Sequence, residues 1–413
     1  MPLSSACASA GTGITMRYVL GAIGSARRPL PSWVLWFILI VTLAIVTEAG
    51  SAAFLHLVFP STARFLLWNP DFAEVRRVWA TDVGRWDDEI GWPSVQEDVS
   101  PPRDRTGAKA NPNFPAIGHA CVSVYGDSFV WGADIPLADG WVEQLARQLG
   151  CRVANYGVSG YGTDQAYIRF TRKTADEAPL ALLGIFPENV MRNVNQYRGF
   201  IGHPLHPYFL KGRFILDRAG RLQWIHRPQV DADGFITLHR EPAKVVPHDY
   251  LLPDTRDGPV TLSFPYTLTL ARVALMPRIR VRLTGRPSWG DFFLPDHPSD
   301  ALALTTAIGE GFAREAERRG KRALVVILPG ASSFRARAAF GTPEYAPLVA
   351  ALTARRVEVF DPAAALLVAL GQRSYCDLYS QPVECNGHFG SAGSIVVAQV
   401  VAAELRRRGL IAP

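Results

Sequence analysis

The stretch Val122-Ser-Val-Tyr-Gly-Asp-Ser-Phe-Val130 constrains this chain more than any other. Its apolar and β-branched residues run straight into Gly126-Asp127-Ser128, the pattern of a buried strand that ends in a tight turn. Strands of this kind belong in a parallel sheet covered on both faces. The turn presents a serine at the carboxyl end of the strand, the edge at which open α/β sheets bind ligands. A serine there can act as a nucleophile once a histidine and oxyanion donors reach it.

The pattern continues along the chain. Apolar positions at helical spacing over 139–149 stop at Gly150, Val153–Val158 reads as a second strand, and a helix follows from Thr163. Leu180–Phe186 is a third strand. The rhythm resumes with a helix over 299–319, a strand over 323–328, a helix over 343–355, a strand over 357–360 and a last helix over 391–408. Asp361-Pro362 reads as a helix cap with a first-turn proline. Alternation of this kind predicts an α/β fold: a mainly parallel sheet with helices on both faces. Residues 198–297 break it, being rich in Pro, Gly and aromatics, with a hairpin signal over Phe214–Ile225. They are expected to form a β-rich insertion.

The amino terminus adds a second constraint. Residues 33–57 are mostly apolar, and about 20 such residues span a bilayer. Arg17, Arg27 and Arg28 precede this run and no acid comes before Glu48, so the positive-inside rule places the amino terminus in the cytoplasm. Ala49-Gly-Ser-Ala52 would also suit a cleaved signal peptide. Either way the main domain is expected outside the cytoplasm, periplasmic in a Gram-negative cell. The expected organisation is a cytoplasmic segment over 1–32, a transmembrane helix over 33–57, a connector over 58–118, and an α/β domain over 119–413 interrupted at 198–297. The net charge of +6 is spread along the chain, with no basic cluster interleaved with aromatics, so nucleic acid is not an expected partner. Of the five cysteines none forms a CxxC. Cys376 could pair with Cys385, and Cys121 could meet Cys151 if their strands are neighbours, while Cys7 is expected to be free.

Four pieces of the chain sit at the ends of predicted elements. They are Gly126-Asp127-Ser128, Asn155-Tyr-Gly-Val-Ser-Gly160-Tyr-Gly, Pro187-Glu-Asn189, and Gly387-His388 before the final helix. In a doubly wound sheet these loops converge on one crevice. Acyl transfer needs a nucleophile, a base for its proton and donors aimed at the oxyanion, and Ser128, His388, the Gly160 N–H and the Asn189 amide fit those roles. Asp127 reads as structural.

These four blocks, in this order, resemble the SGNH/GDSL hydrolases. The resemblance covers about residues 120–190 and 320–408. Asp87-Asp-Glu-Ile-Gly-Trp92 and Lys211-Gly-Arg-Phe-Ile215 are similar to membrane-anchored bacterial members. It implies a flavodoxin-like α/β/α sandwich that hydrolyses or transfers acyl esters, often on glycans or lipids. It also implies Ser128 as nucleophile and oxyanion donor, Gly160 and Asn189 as the other donors, and His388 as base. Two departures stand out. The acid usual three residues before the histidine is here Cys385, so the resemblance leaves a Ser–His dyad, recruitment of Glu384 or Asp377, or loss of activity. The third block, Pro-Glu-Asn-Val, lacks the usual Asn-Asp pair.

Other chemistries fit less well. Gly160-Tyr-Gly162 lacks the third glycine of a dinucleotide fingerprint. Phe129 stands where an aspartyl phosphatase needs its second acid. His203 and His206 read as loop residues without a third ligand. The expectation is therefore a serine esterase or O-acyltransferase that needs no cofactor or metal. Its expected substrates are acyl, chiefly acetyl, esters of an envelope or exported polysaccharide. The alternatives are an inactive glycan-binding protein of the same fold, or a lipase or thioesterase.

Overall fold

Five short parallel strands organise the protein: β1 (Val122–Tyr125), β2 (Val153–Asn155), β3 (Leu180–Ile185), β4 (Arg322–Ile327) and β5 (Val359–Phe360). They lie in the order β2-β1-β3-β4-β5, with Val122 opposite both Val153 and Leu180, Leu180 opposite Arg322, and Val325 opposite Val359. This is one of the two common doubly wound orders, and its direction reverses between β1 and β3. The description rests on a computed structural model and covers residues 30–58, 66–82, 86–92, 103–104, 106–112, 114, 119–172, 174, 176–202 and 209–411. Cys7, His203, His206 and nearly all of the expected cytoplasmic segment lie outside these residues.

Helices connect the strands and cover both faces. α1 is Ser32–Ala53, and α2 (Ser128–Trp131) follows β1 directly. α3 is Trp141–Leu149, α4 Thr163–Arg172 and α5 Asn189–Asn193. α6 (Pro277–Leu283) and α7 (Ala301–Arg318) precede β4, and α8 (Ala331–Phe340) and α9 (Ala346–Ala354) precede β5. α10 (Ala363–Leu370) and α11 (Ser391–Arg407) complete the fold. Because successive strand side chains point to opposite faces, the sheet feeds two cores. Val122, Val124, Leu180, Leu182, Leu324 and Val326 pack with Leu145 of α3, Leu366 of α10 and Val397 of α11. On the other face Tyr125, Leu183, Ile185, Val325 and Ile327 pack with Phe170 of α4, Phe312 of α7 and Leu352 of α9. β1 and β3 are buried along their whole length, and β4 from Leu324 onward, so these strands read as near-continuous apolar runs.

Residues 198–297 differ from the β-rich insertion expected. A hairpin pairs Arg213–Leu216 with Leu222–Ile225, but helices Ala232–Arg240, Tyr266–Ala274 and α6 supply most of the remaining regular structure. The prolines of this segment do not exclude helices: Pro277 occupies the first turn of α6, where its missing N–H costs nothing. Phe200, Phe214, Phe235 and Leu251 share the core of Leu183 and Ile185, so the segment builds onto the sheet. Trp68, Val75, Ile90 and Trp92 from the connector enter the same core.

The chain divides into two compact units, residues 1–49 and 50–413. Ser32–Leu57 is one helical stretch of 26 residues with mean hydropathy 2.1, long and apolar enough to cross a membrane.

Candidate active site

Ser128 owes its place to the turn after β1. Gly126 must be glycine: a Cβ there would lie 2.4 Å from Val130 Cγ2 and 2.9 Å from the Gly184 carbonyl. Asp127 caps α2, its Oδ1 accepting from Phe129 N at 3.0 Å, and its Oδ2 accepts from Arg192 at 3.1 Å. Burial pushes the Asp127 carboxyl up, and the Arg192 guanidinium works against that shift. Arg192 also donates to Glu188 Oε1 and, at 2.9 Å, to the Tyr161 carbonyl. One buried arginine thus ties together the loops that follow β1, β2 and β3.

The loop after β2 is held from behind. Asn155 Nδ2 donates to the Val130 carbonyl and to Glu143 Oε1, both at 2.9 Å, and its Oδ1 accepts from Gly157 N at 3.0 Å. Beyond it, three successive carbonyls accept side-chain donors: Ser159 from Trp92 Nε1 at 2.9 Å, Gly160 from Arg198, and Tyr161 from Arg192. In a planar trans peptide the C=O and the next N–H point in opposite directions. Fixing the Ser159 carbonyl on the buried Trp92 indole therefore turns the Gly160 N–H away from the core. Gly160 has φ +85°, a conformation that L side chains rarely adopt.

His388 comes from the far end of the chain, in a hairpin that pairs Tyr379–Gln381 with Asn386–Phe389. Its Nδ1 lies 2.7 Å from Asp134 Oδ2. A carboxylate only accepts, so Nδ1 carries the proton and Nε2 is left as the basic nitrogen. Asp134 Oδ2 also accepts from the His388 backbone N–H and from Ser380 Oγ, both at 3.4 Å. Desolvation pushes the Asp134 carboxyl up, but the hydrogen bonds and charge of His388 outweigh it and hold the group below the usual carboxylate range. The His388 ring packs against Phe129, centroids 4.9 Å apart.

Ser128, Gly160 and His388 line one cleft of about 540 Å³, together with Phe186, Glu188, Arg192, Arg198 and Arg335. Asn189 is not among the lining residues. It opens α5 between Glu188 and Arg192, almost fully buried, with neither Nδ2 nor Oδ1 hydrogen-bonded to the protein.

The carboxylate on His388 is Asp134, and neither Asp377 nor Glu384 is hydrogen-bonded to the ring. Asp377 sits in the 3-10 turn Tyr375–Leu378, and Glu384 in the exposed turn of the hairpin. Cys385, in the same turn, is bonded to Cys376 of the 3-10 turn before the hairpin, and Cys121 is bonded to Cys151 across the starts of β1 and β2. Asp134 escaped sequence reasoning because no spacing rule links an acid just past the serine helix to a histidine 254 residues on. Its signal was local: Gly132, at φ +77°, ends α2 and starts the turn that carries Asp134, itself at φ +71°. Trp92, Arg192 and Arg198 were also missed, since each acts by touching backbone distant in sequence.

Comparison with known proteins adds little to this picture. No family model matches the chain, and neither does any curated protein. Among solved structures it is similar to "a putative lipolytic protein of G-D-S-L family from Desulfitobacterium hafniense DCB-2", with 11% identity and a TM-score of 0.32. That match covers 68% of this chain and 97% of the other. A likeness at this level leaves the functional argument to the site itself.

Proposed function

We propose that this protein is a serine esterase or O-acyltransferase, anchored by its amino-terminal helix, with its α/β domain outside the cytoplasm. Its substrate would be an acyl, chiefly acetyl, ester on a polysaccharide. The observation that carries the reading is the meeting of Ser128 and His388 on one cleft, with Asp134 on Nδ1 of the histidine. The inactive glycan-binding alternative rested on the missing acid three residues before the histidine, and Asp134 offers a carboxylate from another loop.

In the proposed cycle, His388 Nε2 takes the proton of Ser128 Oγ as Oγ attacks the ester carbonyl. Asp134 stabilises the imidazolium that forms. The N–H groups of Ser128 and Gly160 receive the oxyanion, and the Asn189 amide joins them by a side-chain rotation. Collapse breaks the ester C–O bond, and His388 returns its proton to the leaving alcohol. Water or a sugar hydroxyl then attacks the acyl-serine, giving up its proton to His388, and His388 passes that proton to Ser128 Oγ as the acyl–serine bond breaks.

The test is labelling of the full chain in detergent with a fluorophosphonate, beside Ser128→Ala and His388→Ala. Labelling that needs both residues is the expected result. Equal labelling of folded Ser128→Ala, or none of the folded wild type, overturns the assignment.

A further inference from the structure

The cleft that holds Ser128 does not end there. It continues into a second hollow of about 490 Å³, the two sharing Glu188, Ile201, Trp289, Ser332 and Arg335. Arg198 and Arg335 belong to the first part, and Arg278, Arg282 and Arg286 to the second. Against these five guanidinium groups, Glu188 is the one carboxylate among the described residues that lines either part, and Arg192 already engages it at 2.9 Å.

Local sequence explains the imbalance. Between Asp257 and Asp291 the chain carries Arg272, Arg278, Arg280, Arg282 and Arg286 and no acid or lysine. α6 and the turn after it direct three of these toward the cleft, and α8 adds Arg335 from the opposite side. Arg282, Arg286 and Arg335 are exposed, and among the described residues none has a carboxylate within salt-bridge distance. The Arg286 guanidinium carbon sits over the Phe340 ring, 4.6 Å from its centroid. Trp289 lies half-buried at the junction of the two parts, an apolar surface on which the C–H face of a sugar ring can rest.

A cleft lined by one sign of charge focuses its field and concentrates ions of the other sign. Arginine rather than lysine suits planar oxyanions, since its fork matches carboxylate and phosphate oxygens in pairs. We infer that the ester substrate is carried on a polyanionic glycan whose acidic groups lie along the arginine arm while the acyl group reaches Ser128. The inference rests on the esterase reading for the role of Ser128 but not for the binding it predicts.

Binding is therefore tested where no turnover can occur. The full chain carrying Ser128→Ala, in neutral detergent, is titrated with oligogalacturonate, with phosphomannan oligosaccharide and with maltohexaose, at low and high salt. The expected result is at least tenfold tighter binding of one or both acidic glycans than of the neutral one. That preference should shrink with salt, and should fall at least tenfold on adding Arg282→Gln, Arg286→Gln and Arg335→Gln, three exposed positions at which folding is checked by thermal melting. Which acidic glycan binds tells carboxylate from phosphate. Equal affinity for acidic and neutral glycans, or a preference indifferent to salt and to the three substitutions, overturns the inference. Acidic-glycan binding without fluorophosphonate labelling of the wild type would instead retain it and remove the esterase reading.

Discussion

Replacing Asp134 by asparagine isolates the charge behind the histidine. The amide keeps the shape of the carboxylate, and its oxygen can still accept from Nδ1–H, so the neutral ring stays in place. What disappears is the attraction between carboxylate and imidazolium, which exists only after His388 has taken the serine proton. At the observed 2.7 Å separation, Coulomb's law gives about 1.5 kcal/mol at the dielectric constant of water and about 3 kcal/mol at half that value. The pair is partly wet, with His388 26% and Asp134 46% exposed, so the low end of that range applies. The expected loss is roughly 10-fold, in kcat rather than KM, because the interaction grows only toward the transition state. The assay is hydrolysis of p-nitrophenyl acetate by wild type, Asp134→Asn, Asp377→Asn and Glu384→Gln, with Tm measured for each. The deficit should narrow with added salt, since an exposed pair is screened. Activity of Asp134→Asn within twofold of wild type, with a large loss in Asp377→Asn or Glu384→Gln instead, would refute Asp134 as the partner of His388.

Two further outcomes follow from the same structure. Exchanging both Cys376 and Cys385 for serine opens a loop with a sequence separation of 9; chain entropy puts the loss near 2–3 kcal/mol, and kcat on the same ester should fall because His388 rides on that hairpin. Unchanged Tm and kcat would show that the hairpin holds its shape without the bridge. Acid should unfold the protein partly through His239, buried with its Nδ1 2.8 Å from the Phe235 carbonyl and its Nε2 2.9 Å from the Tyr197 hydroxyl. Burial lowers its pKa from 6.5 to about 4. The stability it contributes is then complete above pH 6.5 and is lost as pH falls toward 4, by about 3 kcal/mol. Urea unfolding of wild type and His239→Gln at pH 7 and pH 4 should differ in their pH dependence by about this amount, and parallel losses would exclude the histidine as the cause.

Much of this protein was legible in its sequence because the signals were local. The central strands are buried on both faces, so Val122–Tyr125 and Leu180–Ile185 stand out as apolar runs. Their helices carry apolar stripes at helical spacing, as Trp141–Leu149 does up to its left-handed Gly150 cap. Gly126, Asp127 and Ser128 were readable as a turn at a strand end, since each residue's part in the turn depends on its immediate neighbours. The apolar amino-terminal helix is local in the same sense. The segment 198–297 was misread because prolines mark helix starts as well as turns, and only packing decides between them.

What tertiary structure alone decided is the surroundings of the serine. Asp134 reaches His388 because the sheet order brings the loop after β1 beside a hairpin from the carboxyl-terminal end of the chain. Trp92 and Arg198 hold the Gly160 loop through single carbonyls that any residue could supply, so nothing in residues 159–161 announces them. The arginine arm of the cleft likewise joins α6 to α8, which the sequence separates. A hydrogen bond or an ion pair between distant segments leaves no period and no motif in either one, because its energy depends on where the fold puts two atoms and not on which residues stand nearby in the chain.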